Sequence, residues 1–198
     1  MDEPVFSMQT HQLDATHSLH HGFLPRKYRL TAGQVSELWA LHPADYHEIS
    51  IHGRRVLTPR WQQAYGADYH YTGRTNRALP IPALLQPLLA WSREAIYPQL
   101  NGLLLNWYDA AHNHYIGRHR DSTKNRVPDS PIVTISFGED RTFRLREWRG
   151  SLRYDFAAVD SSVFVIPFAT NLRWTHEVPH FAQNVGRRIS LTLRAFQT

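Results

Sequence analysis

Asn106-Trp107-Tyr108-Asp109-Ala110-Ala111-His112-Asn113-His114-Tyr115-Ile116-Gly117-Arg118-His119-Arg120-Asp121 predicts a strand, a polar turn and a second strand. Leu103-Leu104-Leu105 lead into the first strand, and Asp109 to Asn113 carry the turn chemistry. Residues i and i+2 of a strand share a face, so His119 and Asp121 present an imidazole and a carboxylate side by side. That is two-thirds of a 2-His-1-carboxylate metal site. A His-x-Asp alone is common at solvated strand ends, so the assignment rests on what lies further along.

Downstream, the chain reads as short strands separated by turn signals. Pro131 to Phe137 is apolar, Gly138-Glu139-Asp140 is a turn, and Arg141 to Arg146 alternates. Gly150 marks another turn, strands over Leu152 to Ala158, Ser162 to Ile166 and Trp174 to Val178 follow, and then a loop over Pro179 to Gly186. Arg187 to Phe196 closes the set. About eight such strands indicate a double-sheet barrel of jelly-roll type. The closing strand puts Ile189, Leu191, Leu193 and Ala195 on one face and Arg188, Ser190, Thr192 and Arg194 on the other. If the polar face points inward, its guanidinium groups need anions, and a dicarboxylate would supply them. Arg188 and Arg194 are roughly 20 Å apart on a straight strand, so they are expected to have different duties. The third metal ligand should be a nearby strand histidine; His176, inside Trp174–Val178, is preferred over His180, which follows a proline.

Upstream, residues 1–20 read as a polar lead-in, with His11, His17 and His20 in a solvated tail that runs on to His21. Thr31 and Gln34 form a capping-box pattern that opens a helix over about 32–42. Glu48 to Leu57 predicts a hairpin turning at His52-Gly53. Pro59 to Gly66 and Tyr69 to Gly73 interleave arginine with aromatic rings, which suits phosphates and bases. Ile81 to Leu100 has helical spacing, with Pro87 expected to kink or restart it. The class is α+β, with a β core and N-terminal helices packed outside.

The 198 residues suit one domain. There are no cysteines, which rules out disulfides and thiolate metal sites. The net charge of +5 favours polyanionic partners. No apolar run is long enough to span a membrane, so a soluble cytoplasmic monomer is expected, nuclear in a eukaryote.

Taken in order, Asn106-x-Tyr108, His119-x-Asp121, Pro131 to Gly138 with Phe143, His176, and Arg188 with Arg194 resemble the AlkB-like Fe(II)/2-oxoglutarate dioxygenases over roughly residues 49–196. The resemblance implies a double-stranded β-helix core over 101–197 and a nucleotide-recognition lid over 45–78. It implies that His119, Asp121 and His176 hold Fe(II) and form the catalytic centre. Asn106, Tyr108, Arg188 and Arg194 look like 2-oxoglutarate residues, with Arg188 on the distal carboxylate; Ser190 stands where the family carries Asn. His52, Arg60, Gln62, Tyr65, Tyr69 and Tyr71 look like substrate residues, and Arg60 is expected to meet phosphate. The implied reaction is oxidative N-demethylation of alkylated bases in DNA, with RNA open. It uses Fe(II), O2 and 2-oxoglutarate and releases formaldehyde, succinate and CO2. Thr123 replaces an acid that repair members carry, and His52 replaces an apolar wedge, which leaves base and strand preference open. A protein or small-molecule substrate is the alternative, and a non-catalytic nucleic-acid-binding module is a third reading.

Overall fold

The computed structural model describes residues 6–51, 53–71 and 74–197. Its main sheet is antiparallel, seven-stranded and ordered β1-β2-β13-β10-β15-β8-β5. These strands are β1 (Met8–Gln12), β2 (Ser18–Phe23), β5 (Trp61–Tyr65), β8 (Gly102–Asp109), β10 (Ile132–Gly138), β13 (Ser162–Ile166) and β15 (Arg187–Arg194). A four-stranded sheet, β12-β11-β14-β9, faces it. It contains β9 (Ile116–His119), β11 (Arg141–Glu147), β12 (Arg153–Ala158) and β14 (Trp174–Val178). Two ribbons stand apart from both sheets, β3 (Glu48–Ile51) with β4 (Arg54–Leu57) and β6 (Tyr69–Tyr71) with β7 (Arg74–Asn76). The expected jelly-roll core is therefore present.

Strand alternation divides the apolar mass into two layers. Leu103, Leu105 and Trp107 of β8, Val133, Ile135 and Phe137 of β10, and Ile189, Leu191 and Leu193 of β15 lie in one cluster. Leu38 of helix α1 (Ala32–Trp39) and Leu88, Leu89 and Trp91 of α2 (Gln86–Ala95) cover that face. The alternate residues point toward the second sheet. A row of Gln62, Asn106, Ser190 and Ser136 crosses four strands in register. All four are buried, so β8 and β15 are covered on both faces.

The local signals explain the helices. Thr31 and Gln34 form the expected capping box at the start of α1. Trp107 Nε1 donates to the Leu38 carbonyl at 3.0 Å and ties this helix to the sheet. Pro87 sits at the beginning of α2, after a 3-10 turn at Ala83–Leu85, where a missing N–H costs nothing.

Three features differ from expectation. The lead-in over 1–20 supplies β1 and the first half of β2 within its described part, and β2 pairs with β13. The polar sequence hides this because histidine serves as an aromatic filler. The His21 ring stacks on Phe164 at 4.5 Å and 9°, and His11 packs edge-on against Phe156. Second, β5, placed in the lid by sequence, is the edge strand of the main sheet beside β8. Third, a short helix α3 (Phe168–Arg173) precedes β14.

Candidate active site

The turn after β8 is built as its residues suggest. Asp109 Oδ1 accepts from the Ala111 N–H at 2.9 Å, and Asn113 closes the turn with φ 55°. The chain re-enters as β9, which pairs with β14 so that His119 lies opposite His176. Asp121 follows two residues later and is 4% exposed. One ligand atom from each of His119, Asp121 and His176 lies within 4.8 Å of the others. Among the described residues this is the one His/Asp/Glu group with such geometry. His180, the rejected alternative, is exposed and meets Asn113 Oδ1 at 3.1 Å instead.

Two of the three candidate ligands are held by hydrogen bonds, while His176 Nδ1 is buried without a partner. His119 Nδ1 donates to the Gly117 carbonyl at 2.8 Å, which turns Nε2 toward Asp121 Oδ1 at 3.7 Å. His176 Nε2 lies 3.8 Å from the same oxygen. Burial pushes the His176 imidazole down to about 3, aided by His119, so it is neutral with a lone pair to give. Burial lowers His119 as well. Burial opposes the charged form of Asp121, but Arg194 and His176 outweigh it and hold the carboxyl well below its usual range. Arg194 Nε donates to Asp121 Oδ2 at 2.5 Å. Two neutral imidazoles and one carboxylate, open on one side, suit Fe(II).

Asn171 of α3 was not legible as a site residue. Its Oδ1 accepts from the Asp121 N–H and its Nδ2 donates to the Asp121 carbonyl, both at 3.0 Å. An asparagine fifty positions away carries no local pattern; only the path of α3 brings it there.

A pocket opens from the ligands between the sheets. Its lining includes Asn106, Tyr108, Thr134, His119, His176, Arg188, Ser190 and Arg194. At the wall away from Asp121, Arg188 is 1% exposed. Its Nη2 donates to Ser136 Oγ at 2.9 Å, and its guanidinium lies 5.2 Å from the Tyr108 ring centroid. Nε and Nη1 are buried without partners. Such donors in a low-dielectric wall call for a bound anion. The two arginines thus have separate surroundings, Arg188 on Ser136 and Arg194 on Asp121.

The expected substrate residues divide. Arg60 and Tyr69 line the pocket, and Gln62 is buried beside Arg60. Tyr69 Oη lies 3.5 Å from Asp121 Oδ1, and Arg194 lies 4.5 Å from its ring centroid. Arg60 is 4% exposed, with Nε donating to Asn106 Oδ1 at 2.7 Å, so it is a pocket wall and not a surface phosphate contact. Tyr65 is also misplaced by sequence. It shares a β5 face with Trp61 and packs in the main core, because alternation sends Arg60, Gln62 and Ala64 to the other face. His52 and the side chain of Tyr71 lie outside the described residues.

The chain matches the family model of the 2OG-Fe(II) oxygenase superfamily over residues 16–194, and it belongs to that family. Membership brings the family's requirement for Fe(II), 2-oxoglutarate and O2, which the donor set above fits. Among individual relatives, the chain is 29% identical over 157 residues to DNA oxidative demethylase ALKBH2 of Homo sapiens. That alignment covers 74% of this chain and 60% of the human protein. The Mus musculus protein of the same name is 29% identical, covering 74% of this chain and 66% of that one. The match thus spans less than two thirds of these relatives' length. The solved structure of OsALKBH1 superposes with a TM-score of 0.58 at 14% identity, covering 94% of this chain and all of that one, and shares the fold. No helix among the described residues is long and apolar enough to cross a membrane.

Proposed function

We propose that this chain is an oxidative N-demethylase of alkylated bases in DNA, acting as a soluble monomer in the cytoplasm, or the nucleus of a eukaryote. One observation carries the reading. The His119–Asp121–His176 cluster lies at one end of a pocket whose other end holds a buried guanidinium with two unpartnered donors. A metal-ligating set and a buried cation lining one pocket suit a small dicarboxylate held between metal and arginine. The ALKBH2 relatives, named as DNA oxidative demethylases, supply the substrate class.

Bound Fe(II), with 2-oxoglutarate and O2, supplies the two-electron oxidation that converts an N-methyl group to N-hydroxymethyl, with succinate and CO2 as co-products. The hydroxymethyl group then leaves as formaldehyde and restores the base N–H. The residues of this chain do the positioning. His119, Asp121 and His176 would hold the metal. Arg188 takes the distal carboxylate through its guanidinium, with Ser136 and Tyr108 fixing its plane. Asn106, held by Arg60, and Ser190 line the path between the two. Arg194 keeps Asp121 ionised and aimed. Tyr69 borders the space beside the metal ligands, where a base must be delivered out of its stack, because a methyl on a paired edge is out of reach.

The test is formaldehyde release from 1-methyladenine and 3-methylcytosine in single-stranded DNA, duplex DNA and RNA, with Fe(II), ascorbate and 2-oxoglutarate. Release that is lost in Asp121→Ala and His176→Ala is the expected outcome. Succinate formation with no formaldehyde from any oligonucleotide would overturn the substrate assignment while leaving an active oxygenase.

A further inference from the structure

A second feature sits in a neighbouring groove that shares His119 with the pocket. Trp148, at the turn between β11 and β12, is 43% exposed. Three guanidinium groups surround its ring. Arg120 lies 4.3 Å from the centroid, and Arg118 and Arg149 each lie 5.9 Å away. Arg118 is tied down by Thr175 Oγ1 at 2.9 Å and by the Glu147 carbonyl at 2.6 Å. Arg120 donates to the Leu172 carbonyl at 2.6 Å. These partners are neutral. The ion pairs of the described residues involve other arginines, and none gives these three a carboxylate.

This arrangement does little for the fold. A surface cation–π contact contributes about 0.5–1 kcal/mol, and gathering like charges offsets part of that. An exposed indole with three uncompensated cations is instead the pairing that binds an unpaired polynucleotide, with ring faces for bases and guanidinium groups for phosphates. Its place adds the stronger argument. The groove that holds Trp148, Arg118 and Arg120 runs on to His119 and Asp121. A polymer with one unit in the pocket must lay its neighbours across this groove.

We propose that Trp148 with Arg118, Arg120 and Arg149 forms a landing platform for single-stranded nucleic acid. A base next to the one entering the pocket stacks on the indole and the Arg120 guanidinium, while flanking phosphates meet Arg118 and Arg149. A duplex fits less well, because its bases are already stacked on both faces. The inference rests on the demethylase reading only for what the pocket does to the neighbouring base.

The experiment measures binding of the full chain to a short fluorescein-labelled oligothymidylate, alone and annealed to its complement, by anisotropy across a salt series. Trp148→Ala weakens single-strand binding roughly tenfold. Trp148→Phe keeps most of it. Arg149→Ala, on an exposed turn that does not threaten folding, weakens binding and reduces the salt slope by about 1. Duplex binding falls less than single-strand binding. Wild-type affinity and slope in both alanine variants would overturn the platform, and an equal loss on duplex would overturn its preference for an unpaired strand. Formaldehyde assays on the same proteins separate the two readings. Strand binding through Trp148 with no release from any methylated oligonucleotide sinks the demethylase alone. Wild-type release with unchanged strand binding in Trp148→Ala sinks the platform alone.

Discussion

Asp121 is held at both its carboxylate and its backbone. Arg194 fixes one carboxylate oxygen, and Asn171 grips the main chain on both sides of the residue. Replacing Asn171 by Ala leaves a buried N–H and C=O without partners, at about 1–3 kcal/mol. The expected result is metal affinity lower by roughly 10–100-fold. Titration with Fe(II), or with Mn(II) as a stable substitute, alongside a thermal melt, checks this; unchanged affinity would remove Asn171 from the positioning role. Arg188 gives the opposite sign for stability. Its unpartnered charge opposes folding until an anion arrives, so Arg188→Met is expected to melt at or above the wild type, by about 1–2 kcal/mol. The same variant should lose the rise in melting temperature that 2-oxoglutarate produces. A wild-type response to 2-oxoglutarate would show that Arg188 does not hold it.

At the scale of elements, β5 decides what the aromatic-and-arginine segment does. The ladder to β8 places Gln62 opposite Asn106 and Trp61 opposite Trp107, so Trp61 and Tyr65 face the helices while Arg60 and Gln62 face the pocket. Arg60→Ala should therefore lower turnover by roughly tenfold through a misplaced Asn106, while the salt dependence of oligonucleotide binding stays unchanged. A reduced slope would put Arg60 back among the phosphate contacts. The two ribbons differ from β5. The β3–β4 hairpin exposes Arg54, Arg55, Val56 and Leu57, and Arg74 of β7 ties to Glu48 at 2.5 Å. The lid expected over residues 45–78 would present these two ribbons to a substrate.

Across the whole molecule, several histidines are kept neutral by burial, and this sets an acid limit. His114, 4% exposed and bonded to Tyr46 Oη and the Asp109 N–H, is pushed down to about 4. His20, His21 and His47 are lowered in the same direction, each by desolvation first. Their unfolded value is about 6.5, so between that pH and the folded value the unfolded chain binds more protons. Stability is thus fully present above about 6.5 and falls as pH drops toward 4. Urea melts from pH 7.5 to 4 should show this loss, with a shallower slope in His114→Gln; a flat profile would contradict the buried neutral imidazoles.

Much of this was legible because the deciding patterns are local. Period-two alternation marks the strands, Thr31 and Gln34 mark the start of α1, and His119-x-Asp121 needs only a strand to share a face. The sequence by itself determined the jelly-roll core, the polar face of β15, and the order in which the ligands and both arginines occur. Tertiary structure alone decided that His176 meets His119, that Asn171 clamps Asp121, that β1 and β2 join the main sheet, and that Arg60 turns inward. It also brought Trp148 against three arginines. The physical reason is that alternation assigns a residue to a face, whereas its partner across that face depends on the register and packing of strands distant in the chain.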